Sequence, residues 1–116
     1  MTVKHDLKHL AWVYNHTEDN KLTLLLYHRV LASLLTGKQT DKGMEYQFFI
    51  SKNDLVKVVP EFGEIDSFLK KAQFKFKVKK ALNEMFEQEF TIHLHGYYYE
   101  EKFIVDGIVI IYIDND

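Results

Sequence analysis

The spacing of apolar residues along the chain changes several times, and each change marks an element. Over Asn20 to Leu35, NKLTLLLYHRVLASLL, Leu24, Tyr27, Leu31, Leu34 and Leu35 recur at helical spacing. Further leucines widen that stripe into a largely buried helix ending near Gly37. Upstream, Asp6 to Tyr14 fits a short helix through Leu7, Leu10 and Trp12 to Tyr14, yet LAWVY is bulky enough for a strand, and both assignments stay open. Tyr46 to Ile50, YQFFI, has the short aromatic pattern of a buried strand. Ser51 then offers an N-cap hydroxyl and Asp54 a carboxylate in the first turn of a short helix. That helix carries Leu55, Val56, Val58 and Val59 until Pro60 closes it.

From Glu64 the pattern is helical again, first through Ile65, Phe68, Leu69 and Ala72, then through Phe74, Val78, Ala81, Leu82, Met85 and Phe86. The two stripes do not share one face, which predicts two helical segments meeting near Gln73, with a short strand over Gln73 to Lys79 as the alternative. Phe90 to Ile113 is strand-like, with turns predicted at Glu100-Glu101 and at Asp106-Gly107. The order helix, strand, helix, helix, then paired strands predicts an α+β, winged-helix-like fold with a C-terminal antiparallel β-ribbon, as one domain over residues 1–116.

Composition narrows the function classes. With 116 residues, 47% hydrophobic and 28% charged, the chain can bury one core and has no compositional signature of disorder. It has no cysteine, which excludes disulfides, thiolate zinc sites and cysteine nucleophiles. The N-terminal MTVKHDLKHLAWVYNH mixes charges into its apolar residues, unlike a signal peptide, and no apolar run reaches the roughly 20 residues of a membrane span, so a soluble, cytoplasmic protein is expected. A net charge of -2 argues against a wholesale polyanion binder, but the distribution is uneven. Lys70 to Lys80, KKAQFKFKVKK, holds six lysines and no acid, whereas Asn83 to Glu101 holds five glutamates and no lysine or arginine.

Several stretches resemble, in order, the winged-helix domains of the plasmid and phage replication initiator family, the iteron-binding Rep proteins. VKHDLKHLAWVYN followed by KLTLLLYHRVLASLL looks like the family's opening segment and first long helix. YQFFISKNDLVKVV is similar to its strand and short helix, FKVKKALNEMFEQEFTIHL to its helix running into the first wing strand, and DGIVIIYID to the returning strand. The resemblance implies binding to duplex DNA, with dimerisation commonly assigned to the first of two such domains. The chain departs from the family in having one domain's worth of residues and a long connection before KKALNEMF, which points to a stand-alone or truncated module.

Candidate chemistry follows the charge. Lys70, Lys71, Lys75, Lys77, Lys79 and Lys80 are the cations for backbone phosphates, and Gln73 and Asn83 are the amides suited to base edges. The competing reading is a solvated helix surface with Phe74 and Phe76 in the core, a placement their spacing favours over stacking on bases. His93 and His95 share one strand face, and His5 and His9 are a helical turn apart, but nothing makes four ligands converge, so no metal or cofactor site is expected. Thr91, His93 and His95 alternating with Ile92 and Leu94 reads instead as the polar side of a half-buried strand. Ser33, Ser51 and Ser67 lie in no nucleophile motif, no phosphate-binding glycine loop exists, and the carboxylates near Glu61, Glu64, Asp66 and Glu84, Glu87, Glu89 have no catalytic spacing, so no enzyme is expected. Tyr97, Tyr98 and Tyr99 must project to both faces of a strand, and with Glu100 they are the candidate contacts for a protein partner or second subunit. Two functions emerge: a non-enzymatic DNA-binding module, or a small acidic inhibitor or immunity protein that captures a protein partner.

Overall fold

A computed structural model of the chain describes residues 2–3, 20–64 and 68–114. The possible element over Asp6 to Tyr14, the histidines His5, His9 and His16, and Ile65, Asp66 and Ser67 lie outside the described residues. Among the described residues the fold is α+β, with three α-helices and a four-stranded antiparallel sheet. In chain order the elements are β1 (Thr2–Val3), α1 (Asn20–Ser33), a 3-10 turn (Leu34–Thr36), β2 (Lys38–Thr40), β3 (Gly43–Ser51) and α2 (Lys52–Val58). There follow a second 3-10 turn (Pro60–Glu64), α3 (Phe68–Met85), β4 (Phe86–Glu87), β5 (Thr91–Tyr99) and β6 (Lys102–Asp114).

The sheet order β2-β3-β6-β5 makes the last strand central, so β5 and β6 belong to the main sheet, while β1 and β4 pair separately. On β6, Ile108 pairs with Ile50 and Leu94, and Ile110 pairs with Phe48 and Ile92. Together with Val105 and Tyr112, these β6 residues are buried and form the floor of the core. Across from them lie Leu22, Leu26, Tyr27 and Val30 of α1 and Phe74, Val78, Leu82 and Met85 of α3. An aromatic chain joins the layers: Tyr27 stacks on Phe86 at 6.1 Å, Phe86 meets Phe90 at 5.8 Å, Phe90 meets Tyr112 at 5.0 Å, and Tyr112 stacks on Tyr46 at 5.2 Å. Ser33 Oγ donates to the Val30 carbonyl at 2.7 Å and lies 2.6 Å from the Tyr112 hydroxyl, so the polar groups buried at this corner are paired.

The local capping logic of α2 holds. Asp54 N–H donates to Ser51 Oγ at 3.2 Å, and the helix ends at Val58, where Pro60 starts the 3-10 turn instead of a further helical turn. Asp54 also accepts from Arg29 Nη2 at 2.9 Å, tying α1 to α2 with the chain's single arginine.

Three expectations are corrected. The inward line of α1 is Leu22, Leu26 and Val30, with Leu34 and Leu35 exposed beyond the helix end; several leucine lines compete, and the position of the sheet selects one. Residues 68–85 form one helix, not two meeting at Gln73: no glycine or proline interrupts them, and Leu69 and Ala72 of the first apolar stripe lie in solvent. Asp106-Gly107 is not a turn. Asp106 is the extra residue of a bulge, since His95 pairs with Gly107 and the next residue, Gly96, with Val105. Gly107 is required for close packing, as a Cβ there would lie 2.5 Å from the Ile50 carbonyl oxygen. The turn at Glu100-Glu101 is present, and both residues adopt left-handed φ values of 50° and 67°, as a two-residue hairpin loop requires. Among the described residues, no helix is long and apolar enough to cross a membrane.

Candidate nucleic-acid interface

Helix α3 carries all eight residues predicted to face DNA, and its packing decides which way each one points. Phe74, Val78, Ala81, Leu82 and Met85 are buried, so the opposite side is outward. Phe74 is fixed by Phe62, whose ring centre is 4.1 Å away. Lys70 and Lys77, about two helical turns apart, occupy one flank; Lys75 and Lys79, about one turn apart, occupy the other. Gln73, Lys80 and Asn83 are exposed on or beside the outward crest. Two exposed apolar residues share that crest, Leu69 at 64% and Phe76 at 70% of full exposure. The placement of Phe76 in the core is thereby corrected, because two residues on from the inward Phe74 a helix has turned well past its buried side.

The lysines are not equivalent. Lys79 pairs with Glu89 at 3.2 Å, and Lys70 Nζ reaches the Glu64 carbonyl at 3.4 Å. Lys71 follows the inward line one turn before Phe74 and is half-buried, its ammonium 5.4 Å from the centre of the Phe103 ring. Phe103 in turn meets Tyr98 edge-on at 5.2 Å. This Lys71–Phe103–Tyr98 chain holds the first turns of α3 against the β5–β6 hairpin, bringing together two sets of candidates that are distant in sequence.

Beside that contact lies a cleft of about 750 Å³ between the 3-10 turn at Pro60–Glu64, the start of α3 and β6. Lys52, Lys70, Lys71 and Lys102 line it, with Glu64 as its acid and Phe103 on its wall. Lys52, Lys102 and Phe103 were missed by sequence reasoning. The hairpin turn could have signalled Lys102, since it pairs with Tyr99, but Lys52 enters only through the tertiary fold.

At the hairpin end, Tyr97, Tyr98 and Tyr99 are all exposed, Tyr98 the most at 77%, and Glu100 and Glu101 form the exposed tip. Strand alternation places Tyr98 on the α3 side with Phe103, and Tyr97 and Tyr99 on the outer side. Thr91, His93 and His95 are exposed while Ile92 is buried and Leu94 half-buried, the alternation expected of that strand. His95 Nδ1 lies 2.5 Å from Asp106 Oδ1, and its ring meets Phe49 edge-on at 5.1 Å. Among the described residues, no group of three or more histidines and acids is arranged to hold a metal ion.

No protein-family model matches the chain, and no curated protein or solved structure matches it.

Proposed function

We propose that this chain is a non-enzymatic module that binds duplex DNA through the outward face of α3, with the β5–β6 hairpin as a wing beside it. The observation that carries the reading is the placement of Lys70, Lys75, Lys77, Lys80, Gln73 and Asn83 on the solvent side of one unbroken 18-residue helix. Such a helix combines cations on its flanks for phosphates with amides nearer its crest for base edges.

Topology supports the same reading. Helix α1, strand β3, helices α2 and α3 and the hairpin β5–β6 follow in the order of a winged helix, and β6 lies between β3 and β5. In that arrangement α3 is the recognition helix, and the Lys71–Phe103–Tyr98 contact sets the angle of the wing. Lys52 and Lys102 extend the positive surface from the helix to the hairpin, with Lys102 beside its turn. The resemblance to replication initiator domains leads to the same proposal.

The test is a fluorescence anisotropy titration of a labelled duplex at low salt with the full chain and with Lys75→Glu/Lys80→Glu. Both side chains are exposed, so the double variant is expected to fold and to lose binding. Absence of binding by the unaltered chain at low salt refutes the reading.

A second reading has its own observation. Three exposed tyrosines border a tip where two glutamates, rather than glycine or asparagine, hold left-handed backbone conformations. Strain retained at an exposed aromatic tip suits a protein-binding surface through Tyr97, Tyr98, Tyr99 and Glu100, as in a small inhibitor or immunity protein, or a homodimer contact. Capture of a partner that is lost on Tyr98→Ala supports it, and unchanged capture refutes it.

A further inference from the structure

The crest of α3 carries a more specific message than its charge. At helical spacing the neighbours of Gln73 are the exposed apolar Leu69 and Phe76 on one side and Lys70 and Lys77 on the other. The amide thus projects between an apolar pair and a row of cations, with Lys80 further along the crest and Lys75 on the far flank. The helix has no arginine, and the chain's single arginine, Arg29, is bound to Asp54 away from this face. The one acid of α3, Glu84, lies near its C-terminal end.

Base-edge chemistry discriminates sharply among these groups. A glutamine amide donates and accepts in the pattern of adenine N7 and N6, and apolar side chains contact the thymine methyl, whereas guanine is read most often by arginine, absent from α3, or by a lysine, which here would have to leave a phosphate for a base edge. Resting on the DNA-binding reading above, we infer that α3 selects A·T base pairs in the major groove, with Gln73 on adenine and Leu69 and Phe76 against thymine methyl groups. The lysines that flank the crest favour a polyanionic partner over a neutral protein helix on the same surface.

The experiment selects bound duplexes from a random-sequence pool with the full chain, then remakes the retained duplex with uracil in place of thymine. A·T steps are expected to dominate the retained sequences. Loss of the 5-methyl groups is expected to weaken binding about fourfold for each methyl buried. Phe76→Ala is expected to reduce the sensitivity to uracil without changing the salt dependence, because it removes no charge. Gln73→Ala is expected to relax the preference at adenine.

Retention of G·C-rich or random sequences, or equal affinity for the thymine and uracil duplexes, overturns the inference while salt-dependent binding leaves the DNA-binding reading standing. No duplex retained at low salt overturns both, and is the result expected if the crest docks a protein instead.

Discussion

The direction in which α3 faces is testable by paired truncations, because Phe74 and Phe76 are alike in chemistry and opposite in placement. Phe74 is 5% exposed and packs on Phe62 and the helix–sheet core, whereas Phe76 is 70% exposed. Removing a buried phenyl group forfeits its transfer free energy and leaves a cavity, so Phe74→Ala is expected to cost about 3–5 kcal/mol. Phe76→Ala removes a ring already in water and is expected to stay within about 0.5 kcal/mol. In urea unfolding, with a slope of about 1.5 kcal/mol/M, the first shift is about 2–3 M in midpoint and the second about 0.3 M. If Phe74→Ala is too unstable to measure, Phe74→Leu keeps most of the volume and is expected to cost about 1 kcal/mol. Equal costs at the two positions, or the larger cost at Phe76, would refute the orientation of α3 and with it the outward face on which the proposed function rests.

Two other perturbations probe the core corner and the hairpin tip. Burial pushes the Tyr112 phenol above its ordinary value, opposed by its hydrogen bond to Ser33. The folded state therefore holds that proton longer than the unfolded chain, and the contribution of Tyr112 is full below about pH 10 and falls as pH rises beyond it. Tyr112→Phe is expected to cost about 0.5–1.5 kcal/mol at neutral pH and to flatten the alkaline loss of stability, read by chemical unfolding across pH. At the tip, Glu100→Asn with Glu101→Gly supplies residues suited to left-handed φ, and thermal unfolding should show a gain of about 1 kcal/mol.

Features set by neighbours in sequence were the legible ones. The Ser51–Asp54 cap, the stop at Pro60, the YQFFI strand and the turn at Glu100-Glu101 each depend on a few adjacent residues and each is present, although of the strand expected to be buried only Ile50 is, with Phe49 exposed on the outer face. What failed depended on distant parts of the chain. Leu69 and Ala72 read as part of a separate core stripe because exposure cannot be read from residue type, and that stripe's mismatch with the Phe74 line suggested a break in α3. Asp106-Gly107 has the composition of a hairpin turn, but β6 continues through it as the central strand, and the glycine answers to the approach of β3. The eight candidates on α3 were identified as a group, yet their division into crest, flanks and the inward Lys71 follows from which face the sheet covers. Phe103, which links Lys71 to Tyr98, had no local signal at all.

Salt dependence tests the central claim most directly. If Lys70, Lys75, Lys77 and Lys80 each neutralise one phosphate, the logarithm of the binding constant should fall against the logarithm of salt concentration with a slope of about -3.6, an affinity loss of about 150-fold between 50 and 200 mM. Lys75→Gln/Lys80→Gln should halve the slope to about -1.8. Lys38→Gln/Lys42→Gln, at exposed positions around the β2–β3 hairpin, should leave it unchanged. A slope that is near zero in the unaltered chain, or that responds equally to both double variants, would contradict the assignment of α3 as the DNA-binding face.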